Sequence, residues 1–82
     1  MKVFVFNGNT TEHVIAADAA DALAILVEVY DAETVSDSEF DDPVELPDDA
    51  NIRVDIDGDV STRTAAEWVG KFGRGQLCSS EY

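Results

Sequence analysis

The chain opens on an unbroken apolar run, Val3-Phe4-Val5-Phe6. Such a run reads as a strand covered on both faces, and therefore central in its sheet. Asn7-Gly8-Asn9 follows as a turn signal, because Asn and Gly tolerate positive φ. Residues 11–16 read as the returning strand, with Thr, Val and Ile supplying β preference. Asp18 is a suitable N-cap, and Asp21 sits three residues later near the positive end of the helix dipole. A helix is expected from about Ala19 to about Tyr30. Its stripe of Ala19, Leu23, Leu26, Val27 and Tyr30 is widened by Ala22, Ile25 and Val29, with only Asp21 and Glu28 polar inside it. That breadth predicts a helix packed deep across a sheet. The alternative is an exposed apolar flank through Ile25 and Val29 that serves a dimer or a partner.

The middle of the chain loses this regularity. Residues 31–51 hold nine acids, no bases and both prolines. Val35, Phe40, Val44 and Leu46 are the only sizeable apolar side chains there, so a long loop pinned over the core by these four is expected, with room for a short helical turn near 37–40. Loops of this length tend to be functional or mobile. Beyond it, Ile52, Val54 and Ile56 alternate with Arg53 and Asp55, a strand with one buried face. Asp57-Gly58 resembles a two-residue hairpin turn, but apolar matching favours a three-residue loop, Asp57-Gly58-Asp59, that sets Ile56 against Val60 and Val54 against Thr62. Thr64-Ala65-Ala66-Glu67 is a capping box. Ala65, Trp68, Val69 and Phe72 give the second helix an apolar face, with Trp68 and Phe72 read as core residues and Gly73 placed to end it. Gln76-Leu77-Cys78 adds a short edge strand, or else residues 74–82 are a tail. The order is ββα-loop-ββα. It predicts one α+β domain spanning residues 1–82, with a mainly antiparallel sheet from two hairpins and the helices on one face.

Size and composition narrow the function. A chain of 82 residues buries only about 60 % of its unfolded surface and has little room for a pocket beside its core. An apolar fraction of 45 % is too high for a disordered chain. No apolar run approaches the roughly 18 residues of a membrane span, and no signal peptide opens the chain, so a cytoplasmic protein is expected. One cysteine, Cys78, excludes an internal disulfide framework and a Cys-based zinc cluster.

Charge is the loudest signal: 18 acidic residues against 5 basic, a net of −13. Residues 28–59 carry thirteen acids against Arg53 alone, whereas residues 60–82 carry Glu67 and Glu81 against Arg63, Lys71 and Arg74. A field of one sign destabilises its own fold, so a use for it is expected. Direct binding of nucleic acid is excluded, because phosphates need Lys and Arg, and anionic membranes are disfavoured for the same reason.

Motifs for catalysis are weak. Asp55-x-Asp57-x-Asp59 resembles the start of an EF-hand loop but has Val60 at the sixth position and Ala66 at the twelfth, where calcium binding needs Gly and a bidentate Glu. His13 is the single histidine and reads as a half-exposed strand residue. Its pairing with Cys78 as a nucleophilic site would be an accident of the fold. No cofactor, no metal and no enzymatic activity are expected.

Three uses of the acid remain. Side chains at i and i+2 on a strand lie roughly 6.6 Å apart, comparable to successive phosphates of one DNA strand. Asp55, Asp57 and Asp59 would form one such row, and Asp37, Glu39, Asp41, Asp42, Glu45, Asp48 and Asp49 a second. Together they would dock in a Lys/Arg-lined groove and exclude DNA. The second use is an acidic module for a basic host protein without mimicry. The third is adaptation to high salt, to which the basic balance after residue 59 is poorly suited. A small, strongly acidic domain that opens strand–turn–strand–helix, with the Ala-Ala-Asp-x-x-Asp-Ala helix entry at residues 16–22, resembles the phage-encoded anti-CRISPR proteins of DNA-mimic type. The resemblance implies a stoichiometric inhibitor in the host cytosol that binds a CRISPR surveillance complex, type I favoured, and blocks recognition of the target DNA or its PAM. A monomer is expected, or a dimer through the apolar first helix.

Overall fold

A computed structural model describes every residue except Asn9, Ser38 and Tyr82, and every side chain except theirs and those of Ile56, Ser80 and Glu81. In chain order the elements are β1 (Lys2–Asn7), β2 (Thr10–Ala16), α1 (Ala19–Tyr30), α2 (Ala32–Asp37), β3 (Val44–Glu45), β4 (Asn51–Ile56), β5 (Asp59–Thr64), α3 (Ala65–Phe72) and β6 (Gly75–Glu81). Four strands form one antiparallel sheet in the order β3-β1-β2-β6, and β4 and β5 form a separate antiparallel pair. The fold is α+β with a mainly antiparallel sheet, and the ββα pattern occurs twice. The turn expected at Asn7-Gly8-Asn9 includes Asn9, which lies outside the described residues.

The apolar run of β1 is central, as its composition requires: Val3, Phe4, Val5 and Phe6 are all buried. Alternation then sorts them. Phe4 and Phe6 share one face with Val14 and Ala16 of β2, and Ala22, Ile25 and Leu26 of α1 pack there. Val3 and Ile15 point to the other face, where Ile52 and Val54 of β4 and Ala65 and Trp68 of α3 close over them. The two principal helices thus lie on opposite faces of the sheet, not on one face as the sequence pattern led us to expect. A sheet with both faces apolar needs a cover on each side, and α1 alone supplies only one.

Local signals act where expected. The Asp18 carboxylate accepts the Asp21 N–H at 2.8 Å and starts α1. Thr64 and Glu67 form the reciprocal capping box of α3, and the Gly73 N–H closes it on the Val69 carbonyl with φ of 71°. Asp31, at φ 77°, ends α1 and accepts the Thr34 N–H at 2.8 Å, so one residue stops one helix and caps the next.

Three expectations fail for identifiable reasons. The segment 31–51 is not one loop, because α2 and β3 interrupt it. Of its four expected pins, Val35, Phe40 and Leu46 pack on the core, but Val44 is 54 % exposed and is held by backbone pairing. The β4–β5 hairpin uses the two-residue turn, pairing Ile56 with Asp59 and Val54 with Ser61. Asp57 (φ 53°) and Gly58 (φ 88°) both adopt the left-handed conformation that a tight hairpin turn requires. Apolar matching had no force, because β4 supplies the buried Ile52 and Val54 while Val60 of β5 is 47 % exposed. Phe72 is likewise no core residue: it is 51 % exposed and stacked on Trp68 at 5.6 Å.

Candidate functional site

Residues 40–50 build one long margin of the molecule. Phe40 meets Phe6 edge-on at 6.0 Å on the α1 face. The Asp41 N–H donates to the Asn7 carbonyl (2.8 Å), β3 sets Val44 opposite Val5 and Glu45 opposite Phe4, and the Leu46 N–H donates to the Val3 carbonyl (2.8 Å). Leu46 packs on the α3 face. The segment therefore runs antiparallel to β1 and is hooked over the sheet edge by one apolar side chain on each face. It then reaches α3, where the Asp48 and Ala50 carbonyls accept the Ala66 and Ala65 N–H groups.

This path puts the first set of predicted acids on one side. Asp37 ends α2, Glu39 lies in a turn at φ 52°, and Asp41, Asp42, Glu45, Asp48 and Asp49 follow along the β3 edge. All seven are exposed. Among the described residues a single cation meets them: Lys2 Nζ lies 2.8 Å from Asp48 Oδ1, and that contact holds the ammonium above its ordinary pKa. The prolines Pro43 and Pro47 flank β3 and remove two amides from the edge.

Asp55, Asp57 and Asp59 are exposed too, but they form no strand row and do not join the first set. Asp57 sits in the turn, and the Asp55 carboxylate is turned back to accept the Gly58 N–H at 3.0 Å. The hairpin crosses the sheet, and Asp55 and Asp57 border a cleft whose far wall is β6, the edge opposite β3. The i, i+2 spacing holds only while a strand continues, and this one ends at Ile56. Among the described residues no group of three His, Cys, Asp or Glu side chains converges on a metal position.

The remaining sequence candidates take structural roles. Ile25 is buried between α1 and the sheet, so it cannot serve an interface, while Leu23 and Val29 stay exposed. Across β2 and β6, His13 lies directly opposite Cys78. The pair is not activated. Burial pushes the Cys78 thiol up to about 11, Glu12 adding to it, and burial pushes the His13 imidazole down. His13 Nδ1 is buried without a hydrogen bond. A neutral thiol beside a neutral imidazole is no nucleophile at neutral pH.

One group the sequence reading passed over is Glu12, which is 1 % exposed. Tyr30 donates its hydroxyl to Oε1 at 2.6 Å, Thr10 donates to the same oxygen at 3.2 Å, and the Gln76 amide donates to Oε2 at 3.2 Å. This cluster ties α1 and β6 to β2. The signal was present: period two places Glu12 on the face of Val14 and Ala16.

Comparison with known proteins adds no relative. No family model, no curated protein and no solved structure matches this chain. No helix among the described residues is long and apolar enough to cross a membrane.

Proposed function

We propose that this chain is a non-enzymatic inhibitor that uses its acidic β3 edge in place of nucleic acid. The observation that carries this reading is the exposure of seven carboxylate residues between 37 and 49 on one margin, with Lys2 the one cation beside them among the described residues. Such a margin complements a groove lined by Lys and Arg, and it speeds encounter at low salt. The longest dimension of the molecule is 31 Å, which corresponds to about nine base-pair steps at ~3.4 Å each. The partner is therefore a basic nucleic-acid-binding protein or ribonucleoprotein with a groove of that reach. A CRISPR surveillance complex, type I favoured, whose recognition of target DNA or PAM would be blocked, is the partner implied by the class resemblance. A basic host protein engaged without mimicry would use the same margin.

Salt adaptation is the competing explanation of the charge. The arrangement favours recognition, since Arg53, Arg63, Lys71 and Arg74 gather around the hairpin and α3 while the seven acids of the β3 margin have Lys2 alone beside them among the described residues. An acid coat selected by salt has no reason to segregate.

The test uses three matched baits in host lysate: the native chain, a variant with the seven acids of 37–49 changed to Asn or Gln, and a variant with Asp55, Asp57 and Asp59 changed to Asn. The expected result is a guided or DNA-binding complex retained by the native bait, displaced by duplex DNA, and lost by the first variant. Equal capture by the native bait and the first variant would sink the reading. Unfolding of the native chain in dilute buffer would favour salt adaptation.

A further inference from the structure

We propose that the cleft between β4 and β6 receives an extended segment of another polypeptide, added as a strand to the open edge of β6 with an acidic side chain held by Arg53. The cleft has a volume of ≈ 770 Å³, within the ~300–1,000 Å³ typical of ligand sites. Residues 75–79 of β6 line it without a break, as do residues 53–55 of β4. Side chains alternate between the two faces of a regular strand, so the unbroken run at 53–55 means that the backbone edge of β4 borders the space, and the run at 75–79 continues along β6 on both sides of the register shift at Leu77. β6 is the last strand of its sheet, and β4 has β5 on one side only. Two strand edges without a strand partner among the described residues therefore face one cleft, the arrangement that strand addition uses.

The β6 edge carries one of the usual protections, a register shift that leaves Leu77 without a partner on β2, but lacks the others. It is seven residues long, contains no proline, and carries one charged residue, Glu81, at its end. The walls offer apolar seats for alternate side chains of an incoming strand: Val54 is buried, Leu77 half-buried, and Phe72 lies exposed at the rim. Charge selects the occupant. Arg74 is committed to Asp21, with Nη2 at 2.7 Å from Oδ1 and Nε at 3.1 Å from both oxygens. Asp55 is committed to the Gly58 amide. Arg53 is exposed and makes no ion pair among the described residues, in a chain with 18 acids. A guanidinium left free at the wall of a cleft of mixed polar and apolar lining matches a carboxylate carried by the incoming strand. This surface lies on the opposite margin of the sheet from the acidic edge and stands whether or not that edge mimics nucleic acid.

The test titrates a fluorescein-labelled peptide, EVTVTVE, with the intact chain at about 0.15 M salt, where long-range repulsion is screened. Backbone amide NMR spectra are recorded in parallel. Saturable binding is expected, with shifts confined to residues 53–55 and 75–79. EVTPTVE should not bind, because proline removes a ladder donor. Arg53→Glu should weaken binding about tenfold or more while leaving amides outside the cleft at their native positions. No saturable binding of EVTVTVE, or binding indifferent to both the proline and Arg53→Glu, overturns the proposal. A dimer of the chain alone that shifts the same amides assigns the cleft to a second copy and overturns it as well.

Discussion

β3 and β6 are the two outer strands of one sheet, and they leave their free edges in different conditions. β3 is two residues long, lies between Pro43 and Pro47, and belongs to a segment with seven exposed carboxylates. β6 is seven residues long, has no proline, and opens on a cleft with both polar and apolar walls. Short length, proline and charge are the means by which proteins keep an edge from pairing with another chain. The acid of residues 37–49 thus has a structural use alongside any partner it engages, since it closes one edge to strand addition. The other edge has none of these three, only a register shift at Leu77, and it opens beside two of the chain's five cations, Arg53 and Arg74.

The largest expected effect comes from removing what holds the hairpin over the sheet. Trp68 is fully buried and donates its indole N–H to the Ile52 carbonyl at 2.9 Å. Trp68→Ala should cost ~3–5 kcal/mol in urea unfolding. That is a large part of the ~5–15 kcal/mol that a domain possesses. Hydrogen exchange should accelerate in residues 51–64 and at the β6 edge before it does in 41–46. Faster exchange in 41–46 would reverse the ranking of the two edges.

A smaller effect isolates β6. Tyr30→Phe removes the donor at 2.6 Å from Glu12 and leaves a buried carboxylate with one partner fewer. A loss of ~1–3 kcal/mol is expected, with exchange rising in residues 75–79. An unchanged melting temperature would mean that the Glu12 cluster does not secure the β6 edge.

The smallest effect reads the cleft wall without altering the fold. With its folded pKa raised from 9.0 to about 11, Cys78 holds about 100-fold less thiolate than an unfolded chain near neutral pH. Alkylation by iodoacetamide, followed by mass spectrometry, should be slower by about that factor in the folded protein. The same shift fixes a sign. The unfolded thiol loses its proton first, so this contribution to stability is intact below about pH 9 and is lost as pH rises toward about 11. Equal alkylation rates in folded and unfolded protein would remove both statements.

Most elements were legible because their signals are local. The Asp18 and Thr64 caps, the Gly73 stop, the apolar β1 and the stripe of α1 each depend on neighbours within a few residues, and each appears where the pattern put it. Of the candidate site, exposure of all ten acids was legible, since a run of carboxylates has no buried alternative without partners. Their grouping was not. Asp55 and Asp57 border the cleft at β6 because the hairpin crosses the sheet, and Asp59 lies beside Arg63 and Lys71.

Residue pattern was enough for β1, β2, α1, β4, β5 and α3 and for the location of the charge along the chain, but not for α2, β3 or β6. The tertiary structure alone decided which face each helix covers, that residues 40–50 lie along β1 as an edge, that Glu12 is buried among Tyr30 and Gln76, and that β4 and β6 face each other across a cleft. The physical reason is range. Capping, turn conformation and hydrophobic period are set by residues within one or two turns of each other. Edge pairing and the covering of a sheet's second face are set by segments tens of residues apart, competing for the same surface.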